Sequence, residues 1–408
     1  MVKNTSPLNS WIQDFKFDID KRKVKVAVRD YFTSYLPILS WIFTYPPKWL
    51  INDCIAGITV SLVLIPQSLA YAGLAEVPVQ YGLTSCFMPM FFYAFTGTSR
   101  ELSVGPTAIV GLATGKIVLD LAQEGYGAIE VASALAFWTG IIIAALGVTR
   151  LGIVLDFIPD PVIIGFVNGA ALTVAVTQIP KLLGISVSTD QSALMILVDM
   201  FKNIKATYIL DFAIGISSIV FLLIIKYGVL YGRKRYENLK YLGFAANGLA
   251  VLIFTLIVYG VKSANPNAKI HIVGSIPNDL TVQVPNLDVK IIQLAGAEII
   301  PLILIMVLEH VALAKSLSKK SGYVCNASQE LVSLGGSNIL NSFFHGIPVA
   351  AALSSTSVQS QAGVMSPLVN IVGGAIVLIA FKFLTFLFYY LPQATLAAIV
   401  ILAVLKLL

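Results

Sequence analysis

The sequence predicts an all-α, polytopic membrane protein in which two of the spans are interrupted. Three observations carry this. Of 408 residues, 57% belong to the hydrophobic set and only 12% are charged, about half the charged fraction of a soluble domain. The mean hydropathy is +0.85. Apolar runs recur along the chain between Gly, Pro and charge breaks, at lengths that suit crossings of roughly 20 residues. A soluble enzyme is excluded, and so is any sizeable water-soluble module. The net charge of +6 marks loops facing the cytoplasm rather than a nucleic-acid partner. Cys54, Cys86 and Cys325 form neither a disulfide framework nor a zinc set, and no metal or cofactor motif appears.

Residues 1–52 open the chain as a polar, basic segment (DKRKVKVAVRD at 20–30) with no short apolar core and cleavage site, so they are expected to stay in the cytoplasm. About twelve spans follow, at 53–73, 77–96, 103–121, 127–148, 159–184, 206–227, 241–261, 292–315, 328–345, 347–364, 367–383 and 386–408. The inside loops then hold Arg100, Arg150, Arg233, Lys234, Arg235, Lys240, Lys315, Lys319 and Lys320, and the outside loops only scattered lysines such as Lys202, Lys205, Lys262 and Lys269, as the positive-inside rule requires. Residues 262–291 form the longest outside segment. Asn4 and Asn326 head glycosylation patterns, but both fall on the inside.

The third span opens as GTSRELSVGPTAIVG (97–111). Pro106 cannot lie mid-helix without losing a backbone bond, so SVG is expected to be extended, with a helix starting near Pro106 or Thr107. The tenth opens as HGIPVAAALSSTSVQSQAG (345–363), where Pro348 with Gly346 is expected to play the same part. Gln67 and Pro106 are 39 positions apart, as are Glu309 and Pro348, so one offset of 242 relates both pairs. It also lays IPQSLAYA (65–72) over VLEHVALA (307–314), and FIPDPVIIG (157–165) loosely matches YLPQATLAA (390–398). Seven spans separate the equivalents, which predicts an inverted repeat: 53–261 as the first unit, 262–291 as a loop and 292–408 as the second, incomplete unit.

In such a repeat the two interrupted helices start head to head near the midplane. Each start offers unpaired N–H groups and about half a positive charge, together an anion site with no basic side chain. Thr107 and Ala108 on one side, and Ser354, Ser355, Thr356 and Ser357 on the other, are the expected amide and hydroxyl donors; capping and helix packing are the alternative role for the serines. Gln67 and Glu309 lie deep in their spans, where polar groups face cavities, and Tyr71 follows Gln67 by one turn. A carboxylate beside an anion is repelled unless protonated. Glu309 therefore either carries a proton with the anion or pairs with a backbone group or His310 to fix packing. His310 points to another helix face, so the two make no metal motif.

PVQYGL (78–83), GTSRELSVGPTAI (97–109), LEHVALAKSLSKKSGY (308–323), NASQELVSLGGSNILNSFF (326–344) and LPQATLAAIVILAV (391–404) together resemble the SulP, or solute carrier 26, family of anion transporters, and within it the sodium-independent sulfate group. The resemblance implies a seven-plus-seven core and gate fold, a homodimer in the plasma membrane or an organelle, and alternating access to sulfate, chloride, bicarbonate or oxalate. It also implies that Gln67, Tyr71, Thr107, Leu353 and Ser354 line the anion pocket. Ser355 departs from the family pattern, which commonly has arginine there. The length departs too: family members continue through two more spans and a STAS domain, so a fragment or truncated isoform is expected. Two other functions stay open on the residues. One is a proton-coupled nucleobase symporter of the same fold; the other is a non-transporting protein, either a motor resembling prestin or a regulator of a full-length partner.

Overall fold

The computed structural model describes residues 36–151, 160–185, 187, 193–232 and 239–405. The basic segment at 20–30, Asn4, the Arg233–Lys234–Arg235 run and the last three residues lie outside them. After one turn at Ile38–Trp41 come α1 (Trp49–Leu74), α2 (Gln80–Thr96), β1 (Val104–Gly105), α3 (Ala108–Ala122), α4 (Ala128–Val148), α5 (Asp160–Leu183), α6 (Ala193–Lys202), α7 (Ile209–Gly232) and α8 (Leu239–Ala264). Then follow α9 (Val289–Ala295), α10 (Ile299–Ser321), α11 (Ala327–Ser342), β2 (Ala350–Ala351), α12 (Leu353–Gln361), α13 (Leu368–Phe383) and α14 (Gln393–Val404). Among the described residues, five helical stretches are long and apolar enough to cross a membrane unaided: α1, α4, α7, Leu242–Ala264, and α9 with α10 as one run.

The helices form two groups. In one, α1 to α4 pack with α10 to α13; in the other, α5, α7, α8 and α14 pack together. The most extensive crossing is α4 on α11. A methyl on Gly335 would lie 2.4 Å from the Ala144 amide nitrogen, and one on Gly140 2.8 Å from the Gly335 carbonyl, so only hydrogen lets these backbones meet. The seam between the groups runs along α1, against α8 and α14. Pro66 within α1 leaves the Leu62 carbonyl without its helical partner, and that carbonyl faces Gly248 of α8, where an added methyl would come within 3.3 Å.

Both interrupted spans are half-helices led by a strand. α3 has 15 residues and α12 has 9, roughly 22 and 14 Å at 1.5 Å per residue, against a hydrocarbon layer of about 30 Å. β1 and β2 pair antiparallel, Val104 opposite Ala351 and Gly105 opposite Ala350, so each strand satisfies the other's polar backbone inside the bilayer. The first junction is where Pro106 predicts it, with Thr107 as N-cap. The second is not. Pro348 precedes β2, and α12 starts five residues later at Leu353. The backbone around Pro348 is held extended by side chains: Asn338 donates to the Val349 carbonyl (3.0 Å) and accepts from its amide (2.8 Å), Asn341 donates to the Ile347 carbonyl (2.8 Å), and Ser85 accepts from the Ile347 amide (2.8 Å).

Three further elements differ from expectation. α6 lies in a stretch assigned to loop, because 10 residues are too few to register as a span. The helix of the last span begins at Gln393, after a 3₁₀ turn at Thr385–Phe388, because Pro392 breaks the run expected from 386. The long segment after α8 is tied to the start of α14: Val273 donates to the Leu391 carbonyl (2.9 Å), Gly274 to that of Tyr389 (3.0 Å), and Gln393 to that of His271 (3.0 Å).

Candidate functional site

The two half-helices begin beside each other because their leading strands pair. Ala352 donates to the Ser103 carbonyl (3.1 Å), and the Thr356 hydroxyl accepts from the Ser103 amide (3.1 Å). Asn370 of α13 and Gln359 of α12 both donate to the Leu102 carbonyl (3.1 and 3.4 Å). These amides fix the crossing, and their small polar side chains gave no signal of it in the sequence. At the start of α3 the Thr107 hydroxyl accepts from the Val110 amide (3.3 Å). α12 has no side-chain cap and no acidic residue in its first turn, so its leading N–H groups face outward from the helix without intrahelical partners.

A cavity of about 30 Å³ lies where the starts meet, lined by Tyr71, Thr107, Ala108, Glu309, Leu353 and Ser354 among others. That is room for about two waters. Ser354 also lines a larger cavity of about 360 Å³ in the seam, together with Gln67, Lys226, Asn247, Ser357 and Gln361. Its exposed Lys226 and Gln361 carry it to the protein surface. Ser354 connects the two spaces: its hydroxyl donates to Gln67 Oε1 (2.9 Å), which leaves the Gln67 amide group free to donate elsewhere. Ala403 of α14 walls both cavities.

Glu309 accepts from the Thr107 hydroxyl at 2.9 Å, rather than from a backbone group or His310. Thr107 thus caps α3 with its lone pair and spends its proton on the carboxylate. Among the described residues, Glu309 is the one charged side chain lining the small cavity. Lys226 is the one such described residue lining the large cavity. The remaining positive potential comes from the two helix starts.

The structure brings Tyr71, Thr107, Ala108, Glu309, Leu353 and Ser354 to one cavity and Gln67 to its mouth. It does not bring Ser355. That side chain is fully buried, donates to the Ala352 carbonyl at 3.2 Å, and lines neither cavity. Thr356 faces Ser103, so of the four-residue hydroxyl run only Ser354 and Ser357 meet a cavity. A buried network behind the site went unseen in the sequence. Glu330 accepts from the Thr98 amide and hydroxyl (2.8 and 2.5 Å) and from Tyr93 (2.9 Å), and pairs with His310 at 2.9 Å. It anchors α10 and α11 to the chain leading into β1, and His310 faces it from the side of α10 away from Glu309. Among the described residues no group of His, Cys, Asp and Glu forms a metal site.

Residues 50–408 match the model of the sulfate permease family. The chain belongs to that family. It is 34% identical over 383 residues to a probable sulfate permease of Schizosaccharomyces pombe, covering 92% of this chain and 46% of that protein. It is 36% identical over 396 residues to the sodium-independent sulfate anion transporter of Bos taurus, covering 92% of this chain and 64% of that one. In fold it is similar to murine solute carrier 26 family member A9, an anion transporter in the inward-facing state: the TM-score is 0.84 at 25% identity, covering 98% of this chain and 67% of the other. The chain spans about half the length of the fungal relative. The two helix groups and the strand-led half-helices are therefore those of a polytopic membrane protein of this family, one of permeases and not of enzymes.

Proposed function

We propose that the chain forms the membrane part of a secondary transporter for small inorganic anions, with sulfate as cargo. The observation that carries this is the pair of helix starts, α3 and α12, converging on one small cavity. A tetrahedral oxyanion suits such a place: the α12 N–H groups, those of Ala108 and Ile109, and the Tyr71 hydroxyl supply donors, and helix starts favour negative charge. The relatives are described as carrying sulfate.

In this reading Lys226 and the wide cavity gather anions from the cytoplasm and Gln67 passes them to Ser354. The helices of 53–261 and 292–408 act as inverted repeats, with α1–α4 and α10–α13 as the moving core and α5, α7, α8 and α14 as the gate. Glu309 sits where a divalent anion would meet a carboxylate, so it takes up a proton as sulfate binds. Two copies in the plasma membrane make the working unit. The deciding experiment is uptake of radiolabelled sulfate, with uracil as control, into proteoliposomes holding the chain or a form extended to the length of its relatives, at pH 5.5 and 7.5. Saturable sulfate uptake without uracil uptake is expected from the extended form. Uracil uptake alone would replace the assignment with a nucleobase symporter, and uptake of neither would leave a non-transporting role.

A further inference from the structure

Read along α1, the seam changes character. Val63 and Gln67 line the large cavity, and Tyr71, one turn on, lines the small one. Two residues later the Gly73 carbonyl accepts a hydrogen bond of 2.8 Å from the Lys181 ammonium. Lys181 stands on α5, in the other helix group. From Val63 to Gly73 the helix rises about 15 Å, so this contact sits beyond the binding cavity, on the side away from the opening at Lys226 and Gln361.

Several features suit it to close that side. Gly73 is in the last turn of α1, where carbonyls lack helical partners and the dipole favours a cation. Glu76 turns the chain at φ +55° just past the helix end. α3 also closes in here, since a methyl on Gly115 would lie 2.2 Å from the Leu74 carbonyl. The end of α5 that carries Lys181 is in turn fixed to its own group. Gly184 turns at φ +69°, and a methyl there would meet the Asp211 carboxylate at 2.6 Å. Asp211 binds the His271 amide (3.1 Å) and ring Nδ1 (2.6 Å), in the segment that pairs with the start of α14. A rigid gate thus presents one ammonium to the largely buried end of a core helix.

We infer that Lys181 is the latch between gate and core that seals the far side of the anion site while the Lys226 side is open. The inference rests on the alternating-access reading, because the bond must break when the core moves past the gate. Lys181 is a positioning residue that never needs to touch the anion, and its loss shifts which side the site opens to.

The test places a reporter at Ala403→Cys, on the wall shared by both cavities, in a background of Cys54→Ser, Cys86→Ala and Cys325→Ser. Membrane-impermeant maleimide is then applied from each face of sealed proteoliposomes. The parent is expected to label from the Lys226 side. A bond to a charged group shifts an equilibrium by roughly tenfold or more, so Lys181→Met should lower labelling from that side at least fivefold and raise it from the other, while Lys181→Arg stays like the parent. Lys181→Gln, uncharged and shorter in reach, is read alongside so that poor folding of one variant does not decide the result. Unchanged labelling from both sides in the folded neutral variants overturns the latch. The readout needs no particular cargo: failure of sulfate uptake with a shift in labelling rejects sulfate and keeps the latch.

Discussion

Replacing Glu309 by glutamine tests the central electrostatic step. The carboxylate lines a cavity with room for about two waters, which places it on the order of 6 Å from a bound anion. At an effective dielectric of ~20, a carboxylate at that distance opposes each unit of anionic charge by about 3 kcal/mol, or about a hundredfold in affinity. Protonation removes the opposition. The sign follows: the bound anion favours the protonated acid, so a proton enters with sulfate and affinity rises as pH falls. Glutamine keeps the acceptor for Thr107, whose hydroxyl bonds Glu309 at 2.9 Å, while removing both charge and titration. In proteoliposomes assayed at pH 5.5 and 7.5, sulfate uptake by the parent should be higher at the acid pH by about fivefold or more, and that of Glu309→Gln should be equal at both. An unchanged pH ratio in Glu309→Gln would refute the proton-coupling argument, and equal parental uptake at the two pH values would do the same.

Thr107→Val removes a helix cap, at a cost of about 1 kcal/mol in stability, and the bond to Glu309, and should weaken sulfate binding severalfold, with Thr107→Ser recovering most of it; sulfate KM measures the binding and a thermal scan the stability. Lys226→Gln should raise KM severalfold while leaving the maximal rate near that of the parent, with an effect that fades as ionic strength rises, because an exposed charge is screened over about 8–10 Å in physiological salt; Lys226→Arg should behave as the parent. Gly335→Ala drives a methyl against the backbone of α4 at 2.4 Å, and a shift this size in a close-packed crossing should cost about 2–3 kcal/mol or prevent folding. A thermal-unfolding scan in detergent checks it, with Gly260→Ala, whose added methyl meets nothing within 4 Å, as the neutral control.

The first half of the site was legible because its chemistry is local. Pro106 lacks an N–H and Thr107 caps the helix that follows, and both facts are written in adjacent residues. The second half was legible only in part. Pro348 promised the same junction, yet Asn338, Asn341 and Ser85, on other helices, hold the chain extended around it, so the helix start falls at Leu353. That displacement sets which hydroxyl faces the cavity, and a run of four reads alike in sequence. Ser354 reaches Gln67 while Ser355, one residue on and about 100° around the helix, turns back on Ala352. Glu309 was singled out by its depth in an apolar span, but its partner, Thr107, is 202 positions away.

By itself the sequence determined the solvent in which this protein folds and the place where its first interrupted span breaks. Hydropathy, proline and helix caps act within a few residues of where they stand. Tertiary structure alone decided which polar groups meet: the strand pair that sets the half-helices side by side, the Glu330–His310 network behind them, and the Lys181–Gly73 bond across the seam. Each of these joins groups on separate elements, in a medium that offers no water to an unpaired one. The fold must therefore bring a partner to each, and only the packed structure shows which partner it brings.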